Sequence, residues 1–279
     1  MAASSLLERP FNPPHVHRVT PRQQKILDVL QAKGACTYQE LEQLLDVSSM
    51  TVRRDVEVLA QRSALIKTLG GAQRSNAPRF LYETSLLSRI DTNRAEKEAI
   101  TARALEFIRP EQTLFLDGSS TCIELARLIA KSELALNVIT NSALIAIEVG
   151  RTPHAKVICL GGEYDPQSAS FVGTLTEEAC AKFFVDAAFM STKAFVAAEG
   201  TYESSIATLR IKQLMAGRCA KLYLLVDSSK FEQRALCKVL DVNAIHVVIT
   251  DSKCPKGPLE QLKSSGRQVV IASTPRVRL

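Results

Sequence analysis

The feature that most constrains the fold is a short segment, residues 47–59, with the sequence VSSMTVRRDVEVL. Ser48 can act as a helix N-cap, because its hydroxyl can accept a hydrogen bond from an amide of the first turn. Apolar residues then recur at i, i+4 and i+7: Val52, Val56 and Leu59. The opposite side carries Met50, Arg53, Arg54 and Glu57. The segment therefore predicts a helix that packs on one face and presents two adjacent arginines on the other.

Two further helix starts precede this arginine helix. Thr37 and Glu40 have the spacing of a capping box, and so do Thr20 and Gln23, with Pro21 at the first helical position. Almost no loop separates the second helix from Ser48. Two helices joined by so short a turn are typical of a helix-turn-helix, whose second helix enters the major groove of DNA.

A Gly-Gly turn follows the arginine helix, within residues 65–74 (LIKTLGGAQR). An apolar strand, this turn and a polar return strand predict a β-hairpin. Attached to three helices, the hairpin is typical of a winged helix, with Lys67 and Arg74 placed for phosphates. A lone arginine pair is more often a solvated helix face. Residues 1–80 nevertheless hold 11 basic and 7 acidic side chains, a net of +4 out of the chain's +6, as expected where phosphates are bound.

Three short motifs of this region resemble the N-terminal signature of the DeoR family of bacterial transcriptional regulators. They are Val47-Ser48, Thr51-Val52-Arg53-Arg54-Asp55 and Gly70-Gly71-Ala72. The resemblance implies a winged helix-turn-helix that contacts DNA through Ser49, Met50, Thr51, Arg53, Arg54, Lys67 and Arg74. One departure is Arg62-Ser63-Ala64, where the family usually has a glycine that ends the arginine helix.

The remaining composition excludes several classes of protein. No apolar run approaches the roughly 18 residues of a membrane span, and the N-terminus has no apolar signal-peptide region. The seven cysteines are scattered and never spaced as Cys-x-x-Cys, which favours a reducing cytoplasm over disulfides or zinc. His15 and His17 lie in the expected disordered leader, and His154 and His246 lack ligand-spaced partners, so we expect no metal and no cofactor.

The length of 279 residues suggests two domains. We expect a disordered leader (1–17), a winged helix-turn-helix domain (18–75), a linker (76–92) and an α/β domain (93–279). A helix from about Asn93 should point Ala95, Ile100, Ala104 and Ile108 inward. Alternating elements follow: strands near 113–116, 137–139, 155–160, 187–190, 222–226 and 245–249, and helices near 120–130, 143–149, 177–183 and 205–216. This alternation predicts a mostly parallel sheet.

Ligands of such sheets bind at the carboxyl ends of the strands, where this chain carries small polar groups. The candidates are Asp117, Ser119, Ser120 and Thr121 after one strand, Thr140 and Asn141 after the next, then Gly161 and Gly162, and finally Asp227 and Lys230. Helix N-termini with hydroxyl groups bind anions. Each group alone is ordinarily a helix cap or a turn. Their conjunction favours one pocket for a phosphorylated polyol.

The same region resembles the C-terminal sensor domain of the DeoR family, which is similar to ribose-5-phosphate isomerase. The match includes Asp117, Asn141, Gly162, Lys212 and Asp227, and it implies a sugar-phosphate effector. Thr192-Lys193-Ala194 stands where relatives often have Asp-Gly, and Thr208 where they often have Glu. A general base needs a carboxylate or imidazole near the proton, and nothing marks the nearby Glu199 or Glu203 as poised. These departures argue against isomerase chemistry, and Lys193 adds a cation.

We therefore expect a cytoplasmic DNA-binding transcriptional regulator, not an enzyme, that represses a carbohydrate catabolic operon. It should bind double-stranded operator DNA as a homodimer or higher homo-oligomer and respond to a phosphorylated sugar. One alternative is an isomerase-type enzyme with a DNA-binding appendage, which turnover of a sugar phosphate would favour. Another is a non-specific nucleic-acid binder, which would not distinguish operator from random duplex. The sequence leaves open which sugar and operator are bound, and whether the protein represses or activates.

Overall fold

The computed structural model describes residues 19–61, 64–68, 70–73 and 86–273. The chain divides into two compact units, residues 1–76 and 77–279. The predicted leader and residues 76–85 of the predicted linker lie outside the described residues. The rest of that linker contains a short helix, Leu86–Ile90.

The N-terminal unit is a three-helix domain with a small antiparallel sheet. Its elements are α1 (Pro21–Lys33), β1 (Ala35–Thr37), α2 (Tyr38–Leu45), α3 (Ser49–Gln61), β2 (Ile66–Lys67) and β3 (Gly71–Gln73), with strand order β1-β3-β2. Both capping boxes are formed, at Thr20 and Thr37. Asp46 adopts a left-handed φ of 51° and ends α2, so the chain turns directly into α3. The predicted winged helix-turn-helix is confirmed.

The apolar stripe of α3 forms the centre of this unit. Val52, Val56 and Leu59 are fully buried. They join a cluster with residues of α1, α2 and the sheet, including Ile26, Leu30, Leu41 and Ala72. Fully burying such side chains contributes about 1.5–3 kcal/mol each. Gly71 is required where the wing meets β1, because a Cβ there would lie 2.1 Å from the carbonyl oxygen of Cys36.

The C-terminal unit is an α/β domain. Its helices are α4 (Leu86–Ile90), α5 (Arg94–Leu105), α6 (Ser120–Lys131), α7 (Ala143–Val149), α8 (Thr174–Cys180), α9 (Ile206–Ala216) and α10 (Lys256–Ser264). Its strands are β4 (Thr113–Leu116), β5 (Leu136–Thr140), β6 (Ala155–Cys159), β7 (Glu163–Asp165), β8 (Ser170–Val172), β9 (Val185–Met190), β10 (Ala194–Val196), β11 (Gly200–Glu203), β12 (Cys219–Leu225), β13 (Cys237–Asp241), β14 (Val247–Asp251) and β15 (Gln268–Ala272).

Seven of these strands form one sheet in the order β15-β14-β12-β9-β4-β5-β6. Every neighbouring pair in it is parallel, which confirms the predicted fold class. Side chains alternate between its faces: Leu114 and Leu116 belong to one apolar core, and Phe115 belongs to the other. Helices cover both faces, as an all-parallel sheet requires.

The order of the strands creates a switch point between β4 and β9. From β4 the chain proceeds outward through β5 and β6, and it then returns to β9 and proceeds the other way through β12, β14 and β15. The loops after β4 and β9 therefore diverge, which leaves a crevice at their carboxyl ends. Open α/β sheets bind their ligands in such crevices.

The structure differs from the sequence prediction in three places. Ala95 is exposed, so its predicted inward position is wrong, and Lys97 is buried instead. Helix α8 begins at Thr174, three residues before the predicted start, because Gly173 turns the chain with a φ of 85°. Two small antiparallel sheets were not predicted: the hairpin β7–β8 and the sheet β10-β11-β13.

Candidate functional site

The outer face of α3 presents the two predicted arginines. Arg53 and Arg54 are exposed, and Met50 is 80% exposed. The guanidinium carbon of Arg53 lies 4.5 Å from the centre of the Tyr38 ring, and its Nε donates to Ser49 Oγ at 3.4 Å. A cation–π contact of this exposed kind contributes about 0.5–1 kcal/mol. Arg53 is thus held in one orientation on the surface of the helix.

Asp55, directly after the arginines, fixes α3 against α1. It is 5% exposed. Its carboxylate accepts from Arg22 Nε at 2.5 Å and from Gln23 Nε2 at 3.0 Å. The sequence showed Asp55 only as part of a motif. In the structure it sets the angle at which α3 projects its polar face.

The other predicted DNA contacts lie on the start of α3 and on the wing. Ser49 and Thr51 are partly exposed in the first turn. The N-cap position of Ser48 is supported by its carbonyl, which accepts from the Val52 amide at 3.1 Å. Lys67 on β2 forms a salt bridge with Glu57 of α3, and both side chains are about half exposed. Arg74 lies outside the described residues.

A cavity opens at the β4–β9 switch point of the C-terminal unit. It encloses about 770 Å³ of space, part of it open to solvent. Eight of the eleven predicted effector residues line it: Asp117, Ser119, Ser120, Thr121, Asn141, Lys212, Asp227 and Lys230. The carboxyl ends of β4, β5, β9 and β12 thus converge on one hollow.

The other three predicted effector residues lie outside the lining of the cavity. Thr140 is fully buried; its hydroxyl donates to the Leu116 carbonyl at 2.8 Å and accepts from the Ser142 amide at 3.0 Å. Gly161 and Gly162 follow the edge strand β6. There the Gly161 carbonyl accepts from Thr176 Oγ1 at 2.8 Å. A Cβ at Gly162 would lie 2.1 Å from the same hydroxyl. These contacts give all three residues structural roles.

A buried charge cluster forms the floor of the cavity. Lys212 Nζ donates to Asp117 Oδ2 at 3.1 Å, to the Ser191 carbonyl at 2.7 Å and to Glu203. The oxygens of Asp117 also accept from the amides of Ser119 and Ser191, both at 3.1 Å, and from Ser119 Oγ at 2.5 Å. The cluster joins β4, β9, β11 and α9, and it fixes the backbone that precedes Lys193.

The protonation of this cluster follows from its contacts. Burial by itself would raise the pKa of Asp117, but the attraction of Lys212 and the hydrogen bond from Ser119 outweigh it and lower that pKa. Burial also opposes the charge on Lys212, yet Glu203 and Asp117 raise the pKa of its ammonium. Asp117 and Lys212 are therefore both charged at neutral pH. Lys212 therefore has two carboxylate partners, Asp117 and Glu203. Relatives often carry an acid at position 208, where this chain has Thr208.

Lys97 on α5 is the residue that the sequence analysis most clearly missed. It is 5% exposed and lines the cavity. Its Nζ donates to the carbonyls of Arg89 and of Thr92, the latter at 2.6 Å. No carboxylate among the described residues forms a salt bridge with it. Burial lowers its pKa from 10.5 to about 8; the nearby Asp227 opposes the decrease, and the positive charges of Lys230 and Arg89 add to it.

The charges around the cavity favour an anionic ligand. Five cations line it, Arg89, Lys97, Lys193, Lys212 and Lys230, against three acids, Asp117, Glu203 and Asp227. The N-terminus of the 12-residue α6 also faces it, where Ser119 Oγ caps the Cys122 amide at 3.2 Å. Amides of a first helical turn have no partner within the helix and attract negative charge. Basic side chains thus outnumber acidic ones among the described lining residues.

The residues from 19 to 273 that the structure describes contain no cluster of three His, Cys, Asp or Glu side chains arranged to hold a metal ion. No helix in the same part of the chain is long and apolar enough to cross a membrane.

Comparison with known families agrees with the geometry of both units. A model of the DeoR-like helix-turn-helix domain matches residues 22–77, and a model of the DeoR C terminal sensor domain matches residues 92–252, more than half of the chain. The chain therefore belongs to the DeoR family, and it is a DNA-binding transcriptional regulator.

Curated relatives resemble the chain along most of its length. The HTH-type transcriptional regulator GolR of Listeria innocua is 33% identical over 90% of this chain and 98% of that protein. The lactose phosphotransferase system repressor of Lactococcus lactis is 31% identical over 86% and 94%. Among solved structures, ribose 5-phosphate isomerase A from Neisseria gonorrhoeae is 16% identical with a TM-score of 0.37, covering 50% of this chain and 53% of that one.

Proposed function

We propose that this regulator represses a carbohydrate catabolic operon and is released from its operator when a phosphorylated sugar binds in the cavity. The relatives' names support the choice of operon, since two of them are called the lactose phosphotransferase system repressor and the putative aga operon transcriptional repressor. The observation that carries the choice of ligand is the environment of Lys97.

Buried charges in proteins are ordinarily paired, because an unpaired charge loses its hydration. Lys97 is buried, yet within the described part of the chain its hydrogen bonds go to the neutral carbonyls of Arg89 and Thr92 and to no carboxylate. A phosphate in the cavity would supply the missing negative charge, and Lys230, which lines the same cavity, would share it. A hydrogen bond between charged groups contributes about 1.5–3 kcal/mol.

The cavity is better suited to holding a sugar phosphate than to transforming it. A general base works best when its pKa lies near the operating pH. The pKa of Asp117 is lowered, and its two oxygens already accept hydrogen bonds from Lys212, Ser119 and Ser191. Glu203 is bound to the ammonium of Lys212. An isomerase-type reaction therefore lacks a poised proton acceptor among these acids.

On the DNA side, α3 would enter the major groove. Ser49, Met50, Thr51, Arg53 and Arg54 would face the bases, and Lys67 and Arg74 would contact phosphates. An arginine that contacts a guanine edge gives about 1–3 kcal/mol of discrimination, whereas a phosphate contact positions without specifying. We further propose at least a homodimer, because two half-sites strengthen weak single contacts, and a cytoplasmic location, where the operator is.

Release requires that the ligand bind the DNA-free state more tightly than the DNA-bound state. The test starts with an operator selected from a random duplex library with the full chain. Fluorescence anisotropy then measures its affinity against scrambled duplex, alone and with a panel of pentose and hexose phosphates. We expect one of them to weaken operator binding and to raise the melting temperature by mass action. Unphosphorylated sugars are the control. Turnover of the ligand, or tighter operator binding in its presence, would contradict the proposal.

A further inference from the structure

One side of the cavity differs chemically from the cationic side around Lys97. It is formed by Asn141, Ser168 and Ser170, which we call the acceptor wall. All three side chains line the cavity, and their exposed fractions are 3%, 3% and 1%. Bulk solvent barely reaches these groups, so their hydrogen-bond partners must come from the protein or from a ligand.

The amide orientation of Asn141 is set by the strand β8. Its Nδ2 donates to the Phe171 carbonyl at 3.1 Å, and the Phe171 amide donates to the Asn141 carbonyl at 2.7 Å. Only the NH2 end of the side chain can donate to a carbonyl, so Oδ1 is the end that remains. No donor among the described residues reaches this buried oxygen. Buried acceptors are almost always hydrogen-bonded, so an exception requires an explanation.

The two serines use their protons away from the cavity. Ser168 Oγ donates to Asp165 Oδ2 at 2.6 Å, and Ser170 Oγ donates to the Ser168 carbonyl at 3.1 Å. A serine hydroxyl has one proton, so both can only accept further hydrogen bonds. The two serines therefore offer lone pairs and no protons to the cavity, and Asn141 adds the unpaired lone pairs of Oδ1 beside the one N–H that Phe171 does not use.

We infer that the acceptor wall selects the effector by one of its hydroxyl groups, which donates to Asn141 Oδ1. This inference rests on the proposed function and specifies the ligand: a phosphorylated sugar that keeps a free hydroxyl at the recognised carbon. The wall adjoins the β4–α6 turn, because a Cβ at Gly118 would lie 2.1 Å from Ser170 Oγ. Its groups are neutral, which suits a hydroxyl better than an ammonium, since a buried ammonium needs an anionic partner.

The experiment compares the sugar phosphate that binds best in the panel with its series of monodeoxy analogues, each with the phosphate intact. Isothermal titration calorimetry on the full chain gives each dissociation constant. A site built to bond a hydroxyl rejects the analogue that lacks it, because its own polar groups are then left unpaired. We expect one deoxy position to weaken binding by about tenfold or more.

The same titrations with Asn141→Ala assign that loss to the wall. We expect the discrimination at that carbon to fall to about twofold or less, while discrimination at the other carbons is retained. Asn137→Ala, on the strand β5 that leads to Asn141 but away from the cavity lining, is the matched control and should discriminate as the wild type does. Ser170→Ala is the second variant should Asn141→Ala fail to fold, and the wild-type series alone already tests for a recognised hydroxyl.

The outcomes separate the inference from the proposed function. Binding of a sugar phosphate with no deoxy position costing more than about twofold overturns the inference and leaves the function standing. Asn141→Ala weakening the parent sugar phosphate and all of its deoxy analogues equally would assign Asn141 a purely structural role, through its contact with Phe171, and also overturn the inference. Failure of every sugar phosphate to bind overturns both. A 2-amino-2-deoxy sugar phosphate that binds more tightly than its hydroxyl parent would contradict the choice of a hydroxyl.

Discussion

Lys97→Met should change how the free energy of unfolding depends on pH, while leaving its value at pH 7 nearly unchanged. In the folded chain the pKa of Lys97 falls from 10.5 to about 8. Between these values the unfolded chain holds a proton that the folded chain lacks, so the free energy of unfolding rises with pH. At about 1.4 kcal/mol per pH unit, the rise amounts to about 3 kcal/mol between pH 8 and pH 10.5. Below pH 8 the full destabilisation by the buried charge is present.

The variant lacks this titration. At pH 7 it gains about 3 kcal/mol by losing the buried charge, but it leaves the carbonyls of Arg89 and Thr92 without their donor. Each unsatisfied buried acceptor costs about 1–3 kcal/mol, so the net change at pH 7 should be small. As the pH rises to 10.5, the free energy of unfolding of wild type should increase by about 3 kcal/mol relative to that of the variant.

Urea unfolding followed by circular dichroism between pH 7 and pH 10.5 measures this difference. Cysteines and tyrosines that titrate in the same range cancel when the two proteins are subtracted. Lys182→Met, at an exposed lysine, is the matched control and should parallel wild type. A saturating sugar phosphate should flatten the wild-type profile, because a bound anion keeps Lys97 protonated. Parallel profiles for Lys97→Met and wild type would refute the reasoning.

Four further changes test the two sites. Arg54→Ala should lose about tenfold or more of operator preference over random duplex in a gel-shift titration, and unchanged preference would remove it from the groove. Lys67→Ala should weaken binding to operator and to random duplex alike, and it should lower the slope of log affinity against log salt by about 1. Lys230→Ala should keep operator affinity but need about tenfold more sugar phosphate for release; release at the wild-type concentration would remove it from the site. Asp117→Asn should cost about 3 kcal/mol at neutral pH by breaking a buried pair with Lys212, a loss that shrinks in acid unfolding as the pH falls through the lowered Asp117 pKa.

Local signals in the sequence were enough for the elements that define the fold. The strand Thr113–Leu116 is a continuous apolar run that ends at Asp117-Gly118, and its predicted limits match the structure. Ser205 is the N-cap of the helix that follows it, and its hydroxyl accepts from the Thr208 amide at 3.4 Å. The apolar stripe of α3 is equally local. Such elements are determined by residues within a few positions of each other.

The buried lysine was missed although its position carried a signal. Lys97 stands three residues before Ile100 and seven before Ala104, which places all three on one face of α5. Ala95, five before Ile100, belongs to another face. A lysine is ordinarily assigned to solvent, and the pattern alone does not show that the buried face of this helix ends at a cavity. Its placement depends on tertiary structure.

Glu203 could not be placed for a different reason. It lies on β11, which pairs with β13 some 40 residues later, as Thr201 does with Leu240. Strands of three to five residues with mixed polarity have too short a pattern to be recognised. Their position depends on the partner strand, so the contact between Glu203 and Lys212 follows from the assembled domain.

The divergence of the chain at the β4–β9 switch point also bears on how relatives of this protein can evolve. Several groups that line the cavity, Lys193 and Lys230 among them, lie on loops, while the strands that carry those loops are held by apolar cores on both sides of the sheet. Substitutions at the half-buried loop positions 193 and 230 can therefore retune which metabolite is recognised with little loss of foldability. A lineage could change the effector that it recognises and keep the same fold.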